Sequence, residues 1–102
     1  MDIATKYYSV LCAANGIKMS YTEVLLLAFV ANKGYINDLE SRQEFSKKYN
    51  TAMNTVGQLC SRLRRRGFLV KKEGQLKVAQ VLDIDFTKDI FITIKLFNDV
   101  KA

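Results

Sequence analysis

The chain has 102 residues, enough for one domain with its own core, and 49% hydrophobic with 25% charged residues is ordinary for a globular protein rather than a disordered one. It carries a net charge of +6, two cysteines and no histidine. Without histidine or a close cysteine pair no zinc centre is expected, and every Cys-His or Ser-His arrangement is excluded.

Residues 3–14 are predicted to be helical, with Ile3, Tyr7, Val10, Leu11 and Ala14 at helical spacing, and Asn15-Gly16 ends the run. A second helix over 21–32 has a clear start. Ser20-Tyr21-Thr22-Glu23 is a capping box, and Met19 with Val24 can form the hydrophobic staple. Val24, Leu25, Leu26, Leu27, Phe29 and Val30 make this helix apolar nearly all round, so it is expected at the centre of the core. Lys33-Gly34 ends it. Its apolar stretch, 24–31, is too short to span a bilayer, no secretory leader is legible at the start, and a cytoplasmic location is expected.

Tyr35-Ile36 reads as a short strand. Ser41-Arg42-Gln43-Glu44 reads as a second capping box, opening a helix to about Tyr49 with Phe45 and Tyr49 facing inward. Asn50-Thr51 forms a turn. The next helix, 52–66, carries Val56, Leu59, Cys60 and Leu63 at i, i+3, i+4 and i+7, and Gly67 ends it. Phe68–Lys72, a Glu73-Gly74 turn and Gln75–Val78 predict a hairpin. The tail, with Val81–Phe86, a polar turn at 87–89 and a β-branched, aromatic run over 90–97, predicts a C-terminal β extension over 83–102. Cys12 and Cys60 fall on apolar helix faces and are expected as buried, reduced thiols.

The charge is concentrated. Eight basic residues and no acidic one lie between Lys47 and Lys72. The whole net charge of +6 falls within 38–77, the remainder of the chain being neutral. On a wheel of about 100° per residue, Val56, Leu59, Cys60 and Leu63 cluster within about 60° of the inward direction. Asn54, Gln58, Ser61 and Arg65 fall opposite, with Arg62 beside them. Asn and Gln suit adenine edges and Arg suits guanine. Four arginines within 62–66, with no acids expected nearby to pair them, exceed what helix-dipole complementarity favours, which suggests an anionic partner. Gly57 costs about 1 kcal/mol in a helix interior, as a close approach by DNA or another helix would justify.

The order helix, short strand, helix, turn, helix, hairpin resembles the winged helix-turn-helix family of DNA-binding domains, over about residues 20–80. Its most telling stretch is 49–69, a small polar turn, an apolar helix seam, a basic helix end, Gly67 and the Phe68-Leu69 pair. The resemblance implies an α+β, mainly helical, single domain over 1–102. The helix-turn-helix core would span about 20–67 and the wing about 68–82, with an extra N-terminal helix and the C-terminal β extension outside the common pattern. It implies double-stranded DNA as the partner, helix 52–66 as the recognition helix and the hairpin on the backbone. Candidate DNA-binding residues are Lys47, Lys48, Thr51, Asn54, Thr55, Gln58, Ser61, Arg62, Arg64, Arg65, Arg66, Lys71, Lys72 and Lys77. Lys71 and Lys72 should point to opposite faces of their strand. A small transcriptional regulator or a phage-type accessory protein is the expected role, with room for a homodimer through helix 3–14 or strand 91–97. The alternative is a winged-helix module for protein interaction or assembly. No enzyme, cofactor, metal or membrane partner is expected.

Overall fold

The computed structural model describes residues 2–82 and 84–91. Its elements are α1 (Ile3–Ala14), α2 (Tyr21–Lys33), α3 (Glu40–Tyr49), α4 (Met53–Arg65), β1 (Leu69–Lys72), β2 (Gln75–Val78) and a single 3-10 turn over Gln80–Leu82. The fold is α+β and mainly helical, as expected.

Each helix has a local cause. Asp2 caps α1 by accepting from the Thr5 amide at 2.8 Å. Ser20 and Glu23 form the complete capping box of α2, at 3.2 and 3.1 Å. Gly34 stops α2 in the left-handed conformation (φ 97°), where an L side chain is strained. At the end of α4 the Phe68 amide returns to the Leu63 carbonyl at 2.9 Å, the long bond of a Schellman closure, with Gly67 at φ 82°. Glu73 and Gly74 both have positive φ, the geometry of a type I′ hairpin turn.

The sheet is small. β1 and β2 pair antiparallel, Leu69 opposite Val78 and Lys72 opposite Gln75. The expected strand at 35–36 reduces to a bridge in which Ile36 exchanges both backbone hydrogen bonds with Leu76, at 2.9 and 3.0 Å. α2 lies at the centre, as its all-round hydrophobicity requires, with Leu26, Leu27 and Val30 essentially inaccessible. Phe45, Val56, Leu63, Leu69 and Ile36 close around it in one contiguous core.

Three expectations are corrected. Ser41 does not cap α3; the helix begins at Glu40, and Ser41 is buried, exchanging hydrogen bonds with Asn37 at 2.8–3.0 Å. The Asn37 side chain accepts the Ser41 amide and the Ser41 hydroxyl accepts the Asn37 amide, so this pair fixes the entry into α3. The buried face of α1 is not the one through Ile3 and Val10, which are exposed. It runs through Ala4, Thr5, Tyr8 and Cys12. The small residues of that stripe let α1 lie close to α2, and Tyr8 donates its hydroxyl to the Leu82 carbonyl at 2.8 Å. Finally, residues 84–91 contain no strand. Phe86 turns inward against Tyr7 and Tyr8 at 5.6 Å from each ring, and the Asp85 carboxylate accepts from the Thr87 amide at 3.0 Å, which closes a turn instead. The expected strand over 92–97 lies outside the described residues.

Candidate nucleic-acid interface

α3 and α4 meet through a tight turn. Asn50 adopts φ 49°, the Thr51 amide donates to the Ser46 carbonyl at 3.0 Å, and Ser46 donates its hydroxyl to the Thr51 carbonyl. The Thr51 hydroxyl bonds back to the Tyr49 carbonyl at 3.1 Å. Thr51 is therefore a turn-holding residue with its hydroxyl already engaged. The turn sets α4 with Val56, Leu59, Cys60 and Leu63 inward, all buried, as the helical wheel requires.

The opposite face of α4 is exposed and forms one side of a groove of about 490 Å³. Its lining is Arg42, Asn54, Gly57, Gln58, Ser61, Arg62 and Arg65, with no acidic side chain. Five of these residues were expected on this face. Arg42 was not. It arrives from α3, and its Nη1 would stand 3.5 Å from a Cβ placed on Gly57. That is an ordinary contact, so of the explanations open for Gly57, close approach by another helix is not the one the structure supports. The Arg42 Nε is buried and makes no hydrogen bond, and its guanidinium lies 3.7 Å from the exposed Asp38 carboxylate. Beside the groove, Ser61, Arg64 and Arg65 border a second hollow of about 370 Å³.

The arginine cluster is not without an acid, contrary to expectation. Glu23 of α2 is buried, and its carboxylate lies 3.7 Å from Arg62 and 3.5 Å from Arg66. Arg66 also stacks over the Phe68 ring at 5.3 Å. The signal was present in the chain: Glu23 shares a helical stripe with Leu26, Leu27 and Val30, so it had to face inward. Arg64 and Arg65 make no ion pair among the described residues.

The lysines are dispersed. Lys47 is exposed near the end of α3, whereas Lys48 lies over the Tyr49 ring at 5.4 Å and contributes to holding the Asp2 carboxyl below its usual value. On the hairpin, the register puts Lys72 and Lys77 on one face and Lys71 on the other. Lys72 and Lys77 border a small notch with Gly34 and Gln80, apart from the α4 groove. Thr55 is exposed on the first turn of α4 and is not part of the groove lining.

Cys60 and Cys12 are buried free thiols. Burial pushes both thiols up, only partly opposed by Arg42 at Cys60 and by Arg66 at Cys12. An apolar hollow of about 440 Å³ lies between α1 and the tail, lined by Ile3, Lys6, Tyr7, Val10, Asp89, Ile90 and Phe91. No described helix is long and apolar enough to cross a membrane. No protein-family model matches the chain, and neither the curated proteins nor the solved structures contain a significant match to it.

Proposed function

We propose that this chain is a double-stranded DNA-binding protein of the winged helix-turn-helix type, with α3 and α4 as the helix-turn-helix, β1 and β2 as the wing, and α4 as the recognition helix in the major groove. The observation that carries the reading is the outward face of α4: Asn54, Gln58, Ser61 and Arg65 stand together on a groove that Arg42 completes and no acid interrupts. Asn54 and Gln58 have the donor–acceptor pairs that match adenine, and Arg65 the fork that matches guanine. Arg42, Arg64, Lys47 and Lys71 supply phosphate contacts, which position the protein without reading sequence. A small transcriptional regulator or phage-type accessory protein fits this arrangement.

The test is fluorescence-anisotropy titration of a labelled duplex across a salt series, with the wild type beside an Arg64→Gln/Arg65→Gln variant. Binding should weaken steeply with salt, and in the variant the log–log slope should flatten by about 0.9 for the phosphate contact of Arg64, while loss of Arg65 weakens base reading. A folded wild-type protein that ignores duplex DNA at low salt refutes the reading. A second reading, an assembly module, rests on the apolar hollow against α1, where Ile3 and Phe91 are exposed. Concentration-dependent sedimentation that Ile3→Ser abolishes would favour it; a monomer at all concentrations would count against its homodimeric form.

A further inference from the structure

Glu23 occupies an unusual position for a carboxylate. Its side chain is only 6% exposed, against 48% for Arg62 and 34% for Arg66. Oε1 accepts the Ser20 amide, which completes the capping box, but Oε2 is buried with no hydrogen bond. A buried carboxylate with an unfilled oxygen is costly, and the nearby guanidiniums are what offset that cost. Both arginines lie on the α2-side edge of α4, four residues apart and therefore one turn apart. Arg65, on the outward face between them in sequence, has no such partner among the described residues.

We infer that Glu23 is a positioning residue that ties Arg62 and Arg66 to the edge of α4 and thereby limits sequence-independent attraction to DNA phosphate. The inference rests on the DNA-binding reading. Specificity is a ratio, and phosphate attraction strengthens binding to every sequence alike. A carboxylate placed behind two of the four arginines offsets charge that would otherwise attract phosphate. The two arginines of the cluster left without an ion pair among the described residues are Arg64 and Arg65, and Arg65 stands beside Asn54, Gln58 and Ser61, where sequence is read.

The experiment measures salt-dependent binding to a duplex of random sequence for four proteins: wild type, Glu23→Gln, Arg62→Gln and Arg64→Gln. Glutamine at this position preserves the capping box, so Glu23→Gln retains the start of α2 while removing the charge. Circular dichroism and urea midpoints verify that each variant is folded. Glu23→Gln should bind random duplex roughly tenfold more tightly at low salt for one arginine released to a phosphate. Its slope should steepen by about 0.9 for each arginine released to a phosphate. Arg62→Gln should leave the wild-type slope nearly unchanged, whereas Arg64→Gln, at an unpaired phosphate-contact arginine, should flatten it by about 0.9. This comparison leaves Glu23 untouched, so it decides the matter even if Glu23→Gln fails to fold. Weaker or unchanged binding by folded Glu23→Gln, or an Arg62→Gln slope as flat as that of Arg64→Gln, would overturn the inference while leaving DNA binding intact. Salt-insensitive or absent binding by all four proteins would instead overturn the DNA reading, and the inference with it.

Discussion

Gly57→Ala should make the protein more stable, although Gly57 sits in the middle of the helix facing the groove. Glycine in a helix interior is less favourable than alanine by about 1 kcal/mol, because it loses more backbone freedom on folding. That gain survives only if the new methyl group fits. The one atom within 4 Å of it is Arg42 Nη1 at 3.5 Å, the end of a flexible side chain at ordinary contact distance. The expected net stabilisation is about 0.5–1 kcal/mol, corresponding to a rise of roughly 2–8 °C in melting temperature for a domain of this size. Calorimetry together with urea unfolding would measure it. The same methyl group stands on the lining of the α4 groove, so affinity for duplex DNA should fall as stability rises. A loss of about 1 kcal/mol or more in stability would refute the reasoning, because it would mean that α3 lies closer to α4 than the Arg42 contact indicates.

Leu63→Ala should destabilise by about 2–5 kcal/mol, since Leu63 is fully buried between α4 and the core; a urea midpoint close to wild type would mean the inward face of α4 is misplaced. Asp2→Ala should cost about 1 kcal/mol at neutral pH through loss of the α1 cap. Burial raises the Asp2 carboxyl, but the hydrogen bonds from Thr5 and Asn32 and the charge of Lys48 outweigh it and hold it below 3.8. A depressed carboxyl stabilises the fold above its unfolded value, so the gap between wild type and Asp2→Ala should narrow as pH falls through and below 3.8, and urea melts at a series of acid pH values would follow it. Cys12 and Cys60 should react slowly with a thiol reagent at pH 8 in the native state and rapidly in urea, because both are buried and burial raises both thiols. Fast native labelling of Cys60 would argue against its place on the seam of α4.

Much of the fold was legible because its signals are local. The Ser20–Glu23 capping box, the seam of α4 and the Glu73-Gly74 turn each depend on residues close in sequence, and each forms as expected. The misses share a different cause. Ile3, Val10 and Ala4 are all compatible with burial, so the buried face of α1 is chosen by what packs against it, and Tyr8 reaching Leu82 is a contact across 74 positions. The tail has β-branched composition, yet Phe86 packs on Tyr7 and Tyr8 and residues 84–91 form no strand, since strand propensity yields to tertiary context. At the candidate site, the exposed face of α4 follows from periodicity alone. Arg42 and Glu23 do not, because each comes from another helix. Of the two, only Glu23 left a trace, as an acid within an apolar stripe.

The most direct test of DNA recognition through α4 is to map amide shifts in a heteronuclear NMR titration with duplex DNA at moderate salt. The largest shifts should cluster at Asn54, Gln58, Ser61, Arg64 and Arg65, with Arg42 and Lys71 at the margins and the core unmoved. Shifts confined to α1 and residues 84–91, or no shifts at all from a folded protein, would contradict it.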